Sequence, residues 1–345
     1  MKGLITQKFT MKKELYWQRI RGICILSVIG IHILAEYQLR SGGVLKLEWV
    51  LTRQLLNFTV PTFVFIAGYF TKKEKVKPAK TFYFRRLQRL LVPYIIWSLL
   101  YLGLRGKLHQ NILETLITGG ASWQLYYIIV LLQCVMLTPM LVKFNGGGLI
   151  LSVIAFLGYM LIKYVYLWQG MKWLSFPLCV EYLPFYTLGI LAGNSTERMK
   201  LKGSKISMFG IPLFAGVSFV EAAIWNNQGK QAMAMSQGKV ASYCFAMSVV
   251  LFFLVRATNI NEETVIRFSN RVLIKIGNLS YGIFFVHMLF VYVIQKVWNF
   301  MNFDINNGLI YCVLNFVVVV TGSYLMAFVM NKILPQKMAS SLGMS

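Results

Sequence analysis

An arginine and a histidine frame an otherwise uncharged stretch, "RGICILSVIGIH", at residues 21–32. Arg21 and His32 are eleven positions apart. At about 100° per residue a helix brings them back to within about 20° of one face, about 16 Å apart along its axis. Glu36 follows His32 by four residues, one turn further on the same face. A carboxylate there can hold an imidazole in one tautomer and favour its charged form. A histidine held in this way can take a proton from a hydroxyl as a general base, or carry a group as a transient nucleophile. The spacing leaves both open. The bland alternative has the arginine snorkelling to head groups, the histidine packing between helices and the glutamate at the outer surface. The shared register of arginine and histidine argues against it.

A second cationic group closes the basic stretch "TKKEKVKPAKTFYFRRLQRLLVPY". Arg85, Arg86 and Arg89 abut an apolar run at helical spacing and suit a bound anion better than the lysines do. The lysines before them, at 72, 73 and 75, read as orientation signals and as attraction to anionic lipid, about 1 kcal/mol each near the surface. His287 lies in "NLSYGIFFVHMLF", where a packing role and a site role are both open. His109, in "RGKLHQN", reads as solvated. Glu181 and Glu221 fall near the outer ends of apolar runs, where a solvated position is favoured over an acidic rim. The five cysteines, Cys24, Cys134, Cys179, Cys244 and Cys312, sit in apolar stretches at irregular spacing and form no metal or redox motif. No metal site is expected. There is no phosphate-cradling Walker loop, no GxSxG elbow and no HExxH pair, and "NGGG" at 145–148 is only a turn.

The elements that must position these residues are membrane helices. Of 345 residues 57% are hydrophobic and only 13% charged, with mean hydropathy +0.61. A soluble domain is nearer 45–50% apolar and about 25% charged. The pattern predicts an all-α integral membrane protein of about ten transmembrane helices in one domain over 1–345. The spans run roughly over 17–38, 50–71, 90–105, 122–142, 149–168, 174–193, 206–225, 238–258, 276–298 and 307–334. The first run is too long for a signal-peptide core and has no small-residue cleavage site after it, so it is expected to stay as a span. A net charge of +24 would suit nucleic acid, but its distribution points to the membrane instead. With the N-terminus inside, about 25 of the 35 lysines and arginines fall on the inner side, as the positive-inside rule requires. Both termini are then cytoplasmic, and no nucleic-acid partner is expected.

Five stretches in order resemble the acyltransferase-3 family of membrane acyltransferases over the whole chain. They are the Arg21–His32 pair, "NFTVPTFVFIAGYF" (57–70), "RRLQRLLVPY" (85–94), "WQLYYIIVLLQCVMLTPML" (123–141) and "LSYGIFFVHMLF" (279–290). Gln18 stands where members often carry Asp, and Ala67 where many carry Ser, so any positioning of Arg21 by that acid falls to another group. The resemblance implies a ten-helix core and transfer of an acyl group, usually acetyl, from cytoplasmic acyl-CoA to a hydroxyl of a cell-envelope polysaccharide or lipid-linked sugar. Acyl-CoA is then a donor substrate rather than a resident cofactor. The chain is similar to the stand-alone group without a hydrolase-like extra domain, in a bacterial plasma membrane. On this reading His32, Arg21 and Glu36 are catalytic, and Arg85, Arg86 and Arg89 bind the donor phosphates. Membrane lipids and glycan-synthesis proteins are the other partners. Two further classes stay open: an exporter of lipid-linked sugars without catalysis, and a structural partner of a glycan synthase.

Overall fold

The computed structural model describes residues 2–42, 46–109, 111–144, 146–169, 171, 176–195, 204–258, 268–301 and 307–344. Among them every regular element is helical: α1 Lys2–Arg40, α2 Leu47–Leu55, α3 Thr59–Tyr69, α4 Ala79–Leu104, α5 Ile112–Thr118, α6 Tyr126–Phe144, α7 Gly146–Trp168, α8 Leu183–Asn194, α9 Ser204–Asn227, α10 Gln231–Met235, α11 Val240–Thr258, α12 Phe268–Asn278, α13 Ser280–Met301, α14 Gly308–Ile333 and α15 Gln336–Ser341, with single 3₁₀ turns at Lys73–Lys75 and Cys179–Glu181. Nine helical stretches among these residues are long and apolar enough to cross a membrane. The chain is an all-α, multi-pass membrane protein.

Three expected spans take a different local form. The run at 50–71 divides into α2 and α3 around a turn at 56–58. The run at 90–105 starts earlier, at Ala79, so Arg85, Arg86 and Arg89 lie on the helix itself. The run at 174–193, whose first two residues lie outside the described residues, is shortened. Pro177 and Pro184 flank a 3₁₀ turn, and α8 begins only at Leu183 with Pro184 in its first turn, where a missing N–H costs least. Its twelve residues reach about 18 Å, less than a ~30 Å hydrocarbon layer. The helix is buried along its first eight residues.

The helices form two compact units: Met1–Val60 with Lys200–Leu334 and Met344–Ser345, and Pro61–Met199 with Pro335–Gly343. In the first, α1 runs through a core of Trp17, Ile20, Cys24 and Ile25, all essentially unexposed. It meets α12 backbone to backbone: a Cβ on Gly22 would lie 2.2 Å from the Leu273 carbonyl oxygen, and one on Gly277 would lie 1.8 Å from that of Gln18. In the second, α3 and α8 touch in the same manner. Cβ atoms on Gly68, Gly189 and Gly193 would lie 2.2, 2.2 and 1.9 Å from the carbonyl oxygens of Tyr186, Phe65 and Tyr69. Small residues permit this approach where no hydrophobic force separates helix from lipid. The "AGY" at 67–69 is thus a helix-packing device.

Candidate functional site

α1 is unbroken from Lys2 to Arg40, so Arg21, His32 and Glu36 do share one stripe. Arg21 donates from Nη1 to the Gln18 amide oxygen at 3.3 Å. A neutral amide thus occupies the place of the absent acid and still orients the guanidinium. His32 is 8% exposed and Glu36 5%. The Glu36 carboxylate lies within electrostatic reach of Arg40 and of the Tyr311 hydroxyl, and its Oε1 is buried without a hydrogen-bond partner.

The partner that sequence reasoning left undecided is His287. From α13 its ring packs against His32 with centroids 5.2 Å apart and planes at 42°. It is fully buried, and Nδ1 sits 3.0 Å from the Ile283 carbonyl oxygen. A carbonyl only accepts, so in the neutral ring Nδ1 carries the hydrogen and Nε2 keeps its lone pair. That Nε2 is buried with no hydrogen-bond partner. Two imidazoles, one with a fixed tautomer, can move a proton in a water-poor setting.

Sequence reasoning also missed a polar cluster around the turn between α2 and α3. Arg53, 8% exposed, donates to the Asn57 amide oxygen and lies within electrostatic reach of His32. Behind it, Gln54 accepts from the Lys239 ammonium at 2.7 Å and from Ser218 at 3.2 Å, while its own amide donates to the Ala234 carbonyl at 2.9 Å. Lys239, unexposed, also donates to the carbonyls of Ala234 at 2.7 Å and Ser236 at 2.8 Å. Three neutral acceptors thus match its three hydrogens, and the lysine ties α2 to the α10–α11 turn. The roles divide: Lys239 ties helices together, while Arg53 brings a cation within reach of His32. The available signal was "TRQLLN", four hydrogen-bonding side chains in about one turn and a half of an apolar run.

In the second unit Arg85 and Arg89 are exposed and Arg86 is half-buried. The Arg86 guanidinium lies within electrostatic reach of the Tyr186 hydroxyl, which shares a 2.8 Å hydrogen bond with Thr138. Lys72 donates to the Gly193 carbonyl at 2.6 Å, and the Lys73 backbone N–H to the Asn194 amide oxygen at 2.9 Å. These bonds pin the basic loop to the end of α8. Glu181 is not a solvated rim residue: it accepts from Lys163 and Tyr159, each at 2.8 Å. Glu221, in the first unit, accepts from the Ala241 backbone N–H at 3.3 Å, at the start of α11 where a carboxylate is favoured. His109 is exposed, as expected. Among the described residues no cluster of His, Cys, Asp and Glu could hold a metal.

A family model described as an acyltransferase domain, acyltransferase-3, matches residues 14–328. Among curated proteins the chain is 25% identical over 135 residues to a "Probable poly-beta-1,6-N-acetyl-D-glucosamine export protein" of Staphylococcus aureus, in strains MSSA476, MW2 and N315. That match covers 36% of this chain, and the chain spans 38% of the length of those relatives. No solved structure matches.

Proposed function

This chain belongs to the acyltransferase-3 family of membrane proteins, and from that premise we propose that it moves an acyl group, usually acetyl, from cytoplasmic acyl-CoA to a hydroxyl of a cell-envelope polysaccharide or lipid-linked sugar in the plasma membrane. The observation that carries this reading is the buried His32–His287 pair, with rings 5.2 Å apart, on the stripe that begins at Arg21. His32 takes the proton as the acceptor oxygen attacks the thioester carbonyl. The new C–O bond forms, the C–S bond breaks, and the proton passes on to the departing CoA thiolate. His287, with its free Nε2, positions His32 or shares the proton. Arg53 faces the negative charge that develops on the carbonyl oxygen, where a preorganised donor counts most. Arg85, Arg86 and Arg89 hold the donor phosphates, and Glu36 orients the outer end of the stripe.

The test is acyl transfer by purified protein from labelled acyl-CoA to a polysaccharide acceptor. His32→Ala should lower the rate by at least a hundredfold, the lower end of the range of about 10²–10⁴ for a general base, with insertion and yield intact. His287→Gln should lower it less. Near-normal transfer by His32→Ala would return that histidine to a packing role.

A second reading is favoured by the printed name of the staphylococcal relatives, which describes export of poly-beta-1,6-N-acetyl-D-glucosamine. An exporter would line the same stripe with polar groups and break no thioester. Polymer accumulating inside cells that lack the protein, together with no acyl-CoA consumption by purified protein, would favour it.

A further inference from the structure

A row of aromatic rings crosses the first unit one turn beyond His32. Trp49 meets Tyr37 with centroids 5.6 Å apart, Tyr37 meets Tyr311 at 5.6 Å, and Tyr311 meets Trp298 at 6.1 Å. Arg40 lies over the Tyr311 ring at 5.5 Å and donates to the Asn299 amide oxygen at 3.4 Å. Trp298 Nε1 is fixed by Asn315 at 2.9 Å, and Asn315 in turn by the Tyr311 carbonyl at 2.8 Å. The row closes because residue 308 is glycine: a Cβ there would lie 2.3 Å from the Tyr37 hydroxyl oxygen. Tyr311 is 2% exposed, whereas Trp49 and Trp298 at the two ends of the row are only half-buried.

An interfacial anchor explains tryptophan and tyrosine at a membrane edge. It does not explain a buried carboxylate among them. Glu36 has a desolvated oxygen with no partner, a costly arrangement unless a ligand supplies the donor. Aromatic faces beside an unsatisfied acceptor and an amide suit one ligand class well. A pyranose ring presents an apolar C–H face to an aromatic π face and hydroxyl donors around its edge.

We propose that Trp49 and Trp298, the half-buried ends of the row, form with Glu36 a binding site for consecutive pyranose units of the acceptor glycan, with Tyr37 and Tyr311 packed behind them. The proposal rests on the acyl-transfer reading, because it delivers a sugar hydroxyl to His32. Glu36 is four residues from His32, about 6 Å along the helix, roughly the breadth of a sugar ring. The site would take a hydroxyl-rich, uncharged sugar, with Glu36 accepting from one hydroxyl or from an N-acetyl N–H.

The test uses the full chain in lipid nanodiscs, with tetramers of β-linked N-acetylglucosamine and of glucose as probes. Calorimetry reads binding, and transfer from labelled acyl-CoA reads the acceptor and donor KM separately. At least one tetramer should bind the wild type. Trp49→Leu and Trp298→Leu should each weaken that binding and raise the acceptor KM about three- to tenfold, the size of a lost ring contact, without a parallel rise in donor KM. Trp49→Tyr should keep most of the affinity, which separates a ring contact from a folding defect. Wild-type affinity in both leucine variants would leave the rings as interfacial anchors and overturn the site, as would a wild type that binds neither tetramer. Tetramer binding lost in the variants by a protein that consumes no acyl-CoA would instead overturn the transfer reading and leave the sugar site standing.

Discussion

Arg86 and Arg89 stand three residues apart on α4, yet one is half-buried beside Tyr186 and the other exposed. If they grip the donor phosphates, each alanine variant should lose about 1.5–3 kcal/mol of charged hydrogen bonding, roughly ten- to a hundredfold in CoA affinity. Lysine should rescue only in part, because it keeps the charge and loses the fork. Lys72 is committed to the Gly193 carbonyl, so the control is the exposed set Lys75, Lys77 and Lys80. Neutralising these should leave the affinity of purified protein for CoA near wild type. An equal loss would reduce the arginines to a diffuse positive surface. At this scale the sequence was partly legible. Arg21, His32 and Glu36 stood out because helical spacing needs only one element. The pairing of His32 with His287 did not, because it joins the first helix to a late one and no local pattern encodes that. Arg53 did not stand out, because a single cation in an apolar run carries no sign of what it faces.

At the scale of elements, most helices follow from the apolar runs, since their length and composition suffice to predict them. Their interruptions were less legible. Nothing local marks 56–58 as a turn, because Asn57 is held there by distant partners: it donates to the Ser236 carbonyl and the Ser242 hydroxyl, each at 3.3 Å. The prolines around Glu181 were a visible signal for the late start of α8. The glycine contacts make a prediction that separates packing from composition. Gly68→Ala and Gly189→Ala place a methyl group 2.2 Å from a backbone oxygen. They should destabilise the second unit by about 1–3 kcal/mol, the usual cost of overpacking. Gly158, in α7, has nothing within 4 Å of its would-be Cβ. Gly158→Ala should therefore be neutral or stabilising, by up to about 1 kcal/mol, from lower chain entropy in the unfolded state. Thermal unfolding in one detergent compares the three, and equal midpoints would dissolve the claim that α3 and α8 are locked by backbone contact.

For the whole molecule, orientation in the membrane decides whether the donor and acceptor readings are consistent. Acyl-CoA is made inside and cannot cross lipid, so α4 arginines that bind it would have to face the cytoplasm. Of the ten basic residues that fall outside under this orientation, Arg53, Lys163 and Lys239 are buried and carry no sidedness. Removing them leaves seven against about 25, which sharpens the bias. Parity adds a second constraint. Nine crossings from a cytoplasmic N-terminus would leave α15 outside, whereas ten, with the short α8 also crossing, bring it back inside. A short helix can cross when its neighbours, rather than lipid, surround it, and α8 has that burial. Three single cysteines in a cysteine-free background test both points: Lys75→Cys, Lys107→Cys and Lys337→Cys, the first and last at exposed positions and Lys107 half-buried. An impermeant maleimide on intact cells should label position 107 and reach 75 and 337 only after permeabilisation. Labelling of 75 in intact cells would invert the orientation and remove the arginines from acyl-CoA altogether. Labelling of 337 with 75 shielded would keep the donor side inside but make α8 a re-entrant segment, so that Lys163 and Glu181 would pair beside a helix that enters the bilayer and turns back.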